Sequence, residues 1–177
     1  MNERELLLSE FPKAEFRNSF DFHACFSLGP GYCEVFQFSN GIWKAAIAFL
    51  PGTDSFAENS FPEILKRLVE IRNRWEQIRF RRAIAISAIL ARLKESKHLQ
   101  YKVTSFVTND ITTESINPMD WNSIEISYGW RHDLPHGITV LANSIEFKEN
   151  RKFNPLRPTH IYQGFSEDTI ERVLRRI

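Results

Sequence analysis

Between Glu63 and Lys97 the chain contains neither glycine nor proline, and no strand or loop persists for that length, so the rest of the molecule must be arranged around one long helix. Ser60 and Glu63 have the spacing of a capping box. Pro62 falls in the first turn, where a missing N–H costs little. Apolar residues follow at Ile64, Leu68, Ile71, Trp75 and Ile78, a 4-3-4-3 spacing that makes one stripe. The stripe lapses at Arg79–Arg82, and Ala83–Ala91 is then apolar on nearly every face, which predicts burial all round. A straight helix over 63–97 would be about 52 Å long, against roughly 40 Å for a compact domain of this size. The helix is therefore expected to bend, break or protrude, with the break at Arg81–Arg82. Two heptads and a phase slip are too few for a coiled coil.

Charge on this segment is lopsided, with ten Lys and Arg against four Glu in a chain whose net charge is only +1. A basic helix is thus set in an acidic remainder. Such a helix serves either to pair and pack internally, its long stems covering apolar surface, or to hold nucleic acid. The balanced total charge favours the first.

With 177 residues and 42% hydrophobic content, the chain has the material for one domain, 1–177, with a substantial core. Its 15 Phe and 4 Trp predict a core built from rings on sheets. The first eleven residues, MNERELLLSEF, place acids where an export signal needs positive charge. Ala83–Ala91 is about half the length of a membrane span. These features predict a cytoplasmic protein without a membrane partner.

In chain order, residues 1–20 read as a weakly helical lead-in. Strand patterns follow at His23–Leu28, Tyr32–Ser39 and Ile42–Leu50, separated by Gly29-Pro30-Gly31 and by Asn40-Gly41, a strong hairpin signal. A two-residue Asn40-Gly41 turn would pair Phe38 with Trp43 and Phe36 with Ala45, stacking rings on the face the helix covers. Pro51 to Asp54 reads as the end of this meander. After the helix, Gln100–Thr108, Trp121–Trp130, Gly137–Ala142, Ser144–Lys148 and His160–Gln163 read as strands, and Asn109–Met119 as an exposed loop. Ser166 caps a last helix, with Phe165 able to staple onto Ile170. The expected fold is α+β: an antiparallel sheet of six to seven strands from two meanders, covered by one long bent or broken helix, with a C-terminal helix.

Candidate chemistry is sparse. Arg131-His132-Asp133-Leu134-Pro135-His136-Gly137 is the densest polar cluster and lies between two strands. His132, Asp133 and His136 are the residues that a metal- or histidine-dependent hydrolase or nuclease would use, although Pro135 and Gly137 make a turn of the four-residue spacing that a helix would turn into a metal site. Cys25 and Cys33 flank the first turn, diagonal or on opposite faces, so they read as buried free thiols rather than a disulfide or a nucleophile. His23 and His160 read as structural. Among the motifs sought, G-x-S-x-G, the P-loop, the dinucleotide fingerprint and Cys-x-x-Cys are missing. No cofactor is implied.

Ile124-Glu-Ile-Ser-Tyr-Gly-Trp130, followed by His136-Gly137-Ile138-Thr139-Val140, resembles a pattern in small bacterial α+β proteins, some of which are immunity proteins encoded beside polymorphic or contact-dependent toxins. Where that pattern has an acidic residue before the His-Gly pair, this chain has Pro135. The resemblance implies a non-catalytic protein that neutralises a cognate protein toxin by occlusion. The contact residues this reading selects are on expected exposed loops: Asp54 and Glu58, Asp110 and Glu114, and Arg131, His132 and Asp133. The alternatives are the hydrolase or nuclease of the 131–136 loop and nucleic-acid binding along helix 63–97.

Overall fold

The long helix, α2, is unbroken from Phe61 to Glu95. In the computed structural model, residues 2–18, 21–49, 52–107, 110–112, 117–130, 134–149 and 158–177 are described. The expected break at Arg81–Arg82 is absent because the stripe never loses phase. Counting on from Ile78, the same 4-3 spacing falls on Arg82, Ala85 and Ile89, and all three are buried. An arginine occupies an apolar position. Nor is Ala83–Ala91 buried all round, since Ile84, Ser87 and Ala91 are exposed.

The fold is α+β, but the single sheet expected is two. The chain groups into two compact units, Met1–Glu76 and Gln77–Ile177. The boundary falls inside α2, so each unit takes part of the same helix.

The first unit begins with α1 (Glu3–Glu10), capped by a reciprocal pair in which the Glu5 amide donates to Asn2 and the Asn2 amide to Glu5, each at 2.9 Å. Its antiparallel sheet has the order β1 (Glu15–Phe16), β2 (His23–Leu28), β3 (Gly31–Gln37), β4 (Trp43–Phe49), β5 (Gly52–Glu58). The β2–β3 turn places Gly29 at φ +60° ahead of Pro30, whose ring holds φ negative, the II′ pattern. Gly29 is also required for space, because a Cβ there would lie 2.5 Å from Cγ of Trp75.

The β3–β4 hairpin differs from the sequence expectation by one residue. Gln37 pairs with Trp43 and Val35 with Ala45. The loop is closed by the Phe38 amide donating to Ile42 (2.8 Å) and the Gly41 amide to Phe38 (2.9 Å), with Gly41 at φ +83°. This is a three-residue loop, a type I turn followed by a left-handed glycine. One extra loop residue shifts the register by one, which exchanges the faces of the pairing partners. Cys33 and Val35 therefore face the core with Trp43, Ala45 and Ile47, while Tyr32 and Phe38 are 40% and 43% exposed. The ring cluster lies elsewhere: Phe22, Trp43 and Phe61 meet at centroid separations of 4.9, 4.8 and 5.5 Å, and Phe11 stacks on Phe26 at 4.4 Å. Ile64 and Leu68 of α2 complete this core.

The second unit has an antiparallel sheet in the order β11 (His160–Gln163), β10 (Ser144–Lys148), β9 (His136–Val140), β8 (Ser123–Gly129), β6 (Gln100–Val107), β7 (Asp110–Thr112). Alternation in β8 buries Ile124, Ile126 and Tyr128, as the pattern predicts, but Trp130 beyond it is 71% exposed. Ala85, Ile86, Ile89 and Leu93 of α2 pack into the core of this unit with Val173. Val173 lies on α3 (Glu167–Leu174), where Ser166 accepts from the Thr169 amide at 3.2 Å.

Arg82 holds this unit from within. Fully buried, it donates to the carbonyl oxygens of Leu141 (2.8 Å), Asp120 (2.7 Å), Pro118 (3.3 Å), Val140 (3.4 Å) and Asn122. Burial lowers its pKa to about 10, an effect opposed by Asp120, so the group stays charged at neutral pH. Truncation would strand five carbonyl acceptors, four of them on buried or half-buried residues, a cost of desolvation without compensation. Arg82→Met is expected to lower unfolding stability by about 3–5 kcal/mol, read from the urea midpoint. Arg82→Lys should recover only part, since one ammonium with three donors cannot span the same carbonyls.

Candidate functional site

The face of the first sheet that looks away from its core carries the group of His, Cys and Glu side chains close enough to share a metal ion among the described residues. Alternation along β2 puts His23 and Cys25 on this face. The tight turn at Gly29-Pro30 sets Cys25 opposite Glu34, and β1 sets Glu15 opposite Cys25 on the other side. Glu15, Cys25 and Glu34 thus form a row across three strands, with His23 one step along.

Cys25 Sγ is 3.6 Å from His23 Nε2 and 3.9 Å from Glu34 Oε1, and the three donor atoms all lie within 4.8 Å of one another. His23 is 7% and Cys25 2% exposed. Arg17 donates to Glu34 at 3.3 Å and to the Tyr32 hydroxyl at 3.1 Å. The Tyr32 phenol is pushed up from its ordinary value, chiefly by a hydrogen bond with Cys25 and then by burial. Beside the row lies a cavity of about 400 Å³ whose lining includes Glu10, Lys13, Glu15, Cys25, Ser27 and Tyr32.

Cys33 belongs to the other face. Both cysteines are free and buried, as the offset around the turn predicts. Burial, with Cys25 and Glu34 adding, raises the Cys33 thiol to about 12.

The residues selected from sequence are dispersed. Asp54 and Glu58 were expected on a loop and instead lie on β5, which pairs back along β4 from Gly52 and has a single buried anchor among its described side chains, Phe56, too little for alternation to reveal it. Asp54 is exposed. Glu58 is half-buried and paired with Arg67 at 3.0 Å. Asp110 opens β7 rather than sitting in a loop. Glu114, Arg131, His132 and Asp133 lie outside the described residues. His136 opens β9 opposite Tyr128, and its Nδ1 is buried with no partner among the described residues.

Internal use accounts for part of the basic helix. Arg72 pairs with the Glu10 carboxylate at 3.0 Å, donates to its carbonyl at 2.7 Å and lies over Phe11. Arg67 lies over Phe56. Arg82 is satisfied by carbonyls and not by the acids the sequence led us to expect. Lys66, Arg74, Arg81, Arg92 and Lys94 are exposed.

No α-helix among the described residues is long and apolar enough to cross a membrane. Models of known protein families, curated proteins and solved structures give no match to the chain.

The thiols supply a direct check. In the folded protein Cys33 should resist a thiol reagent at mildly alkaline pH, whereas denaturation without reductant should release both thiols. Its folded pKa, about 12, exceeds the ordinary value of 9.0. The folded state therefore holds this proton where the unfolded state has lost it, and the associated stability falls as pH rises from 9.0 towards about 12. A Cys33→Ala variant should lose that part of the alkaline slope in pH-dependent urea titrations.

Proposed function

We propose that the protein is a non-catalytic binding protein that neutralises a cognate protein toxin by covering its working surface, with β5 and the outer face of the first sheet as the contact. The observation that carries this reading is the edge. β5 ends the first sheet, and Thr53, Asp54, Ser55 and Ala57 along it are exposed. Its outer row of backbone groups can pair with an extended segment of a partner. The adjoining sheet face adds exposed Tyr32, Phe38 and Ala48, a mixture of rings and small side chains suited to a flat interface.

Charge favours a basic partner. Met1–Glu76 holds eight Lys and Arg against eleven Asp and Glu. A toxin that acts on nucleic acid carries a basic cleft, and an acidic inhibitor is steered towards it.

The experiment is co-expression with the toxin encoded by the flanking reading frame, with affinity measured on purified proteins. Asp54→Lys should weaken the complex by at least about 2 kcal/mol, roughly thirtyfold in Kd, without loss of fold. His132→Ala/His136→Ala should still protect. The opposite pattern would move the assignment to a hydrolase or nuclease of the 131–136 loop. Micromolar binding of duplex DNA with a steep salt slope would move it to the basic helix.

A further inference from the structure

We propose that His23, Cys25 and Glu34 form a binding site for a zinc-class divalent transition metal on the outer face of the first sheet. The three side chains bring the donor types such an ion takes: imidazole nitrogen, thiolate sulfur and carboxylate oxygen. Their spacing fits. With metal–sulfur and metal–nitrogen bonds near 2.3 and 2.0 Å, a tetrahedral site has an S···N edge of about 3.5 Å, and here Nε2 and Sγ are 3.6 Å apart, with Oε1 3.9 Å from the sulfur.

The surroundings favour a cation over a nucleophile. A reactive cysteine works in electropositive surroundings that stabilise its thiolate, whereas the Cys25 sulfur has Glu34 on one neighbouring strand and Glu15 on the other. Two carboxylates on the flanking strands next to a thiol and an imidazole are a donor set suited to a cation. A divalent ion satisfies this set, since it holds thiolate and carboxylate together while the thiol proton leaves to solvent.

The site is also built rather than incidental. His23 and Cys25 are both over nine-tenths buried on β2, inside the edge strand β1, and their i, i+2 spacing fixes both side chains to one face. Arg17, half-exposed and 3.3 Å from Glu34, is the counter-ion a metal would displace. Three protein ligands leave a fourth position. Cys25 and Glu15 both line the adjacent cavity, so that position is filled either by Glu15 or by a molecule entering there.

Cobalt(II) titration of the full-length, reduced, chelator-treated protein tests this. The expected result is one cobalt per chain with a thiolate-to-cobalt charge-transfer band and the intense visible absorption of tetrahedral cobalt, both removed by one equivalent of zinc. Cys25→Ser should abolish the charge-transfer band. Cys33→Ala, which alters the other face of the same sheet, should keep it. Glu34→Gln, at a half-exposed position where loss of fold is least expected, should weaken cobalt binding by at least about tenfold, following the dependence of affinity on ligand number. Circular dichroism of each variant separates loss of metal from loss of fold. A wild-type protein without the band at stoichiometric cobalt, a band that survives Cys25→Ser in a folded protein, or unchanged affinity in Glu34→Gln would overturn the assignment.

Discussion

A single guanidinium sets the interior of the Gln77–Ile177 unit. Arg82 is buried on α2 and serves carbonyls from the 118–122 loop and from the loop that leaves β9 at its last residue, Val140 and Leu141. Loop carbonyls turned inward are an expense that sheets normally avoid, since each needs a donor. Here one planar fork supplies them all, so the two loops and the helix have one compatible arrangement. Apolar contacts from Ile86, Ile89 and Leu93 provide adhesion to the sheet, but they tolerate sliding in a way that directional bonds do not.

Arg82 also explains a misreading of the sequence. Scored as polar, it seems to interrupt the apolar stripe and to break the helix. Scored by position, four residues after Ile78, it continues the heptad through Ala85 and Ile89. Phase is the more reliable signal, because a long side chain can occupy a buried position when its head finds acceptors. The expected bend had a second source, the comparison of helix length with the breadth of one compact domain.

Most strands were legible from alternation: β2, β6, β8 and β10 lie close to where the pattern puts them. Four features were not, the first being the two-residue β1 inside a lead-in read as helical. β5 has too few apolar residues for periodicity to detect, β7 is three residues long, and the Asn40-Gly41 hairpin hides a choice between two-residue and three-residue loops that composition does not decide. That choice reversed the exposure of Tyr32 and Phe38. By contrast, the His23–Cys25–Glu34 cluster was readable and was passed over. The two-residue reversal at Gly29-Pro30 pairs Leu28 with Gly31, and counting back along both strands puts Cys25 against Glu34. The residues had been weighed one at a time, as a structural histidine and a buried thiol, when their shared face carried the information.

The β5 edge of the first sheet, unpaired among the described strands, bears on how the protein meets a second copy of itself. A seven-residue edge strand is an open template for pairing with an identical copy, and nothing in the sequence of β5 blocks this by proline or lysine. Asp54 near its middle does. Two β5 strands meeting antiparallel in any near-central register would bring the two Asp54 carboxylates to opposing or adjacent positions, where like charges repel. A strand from a different protein, with a cation at that point, meets no such penalty. The carboxylate therefore disfavours self-pairing along β5 more than pairing with a strand that carries a cation there.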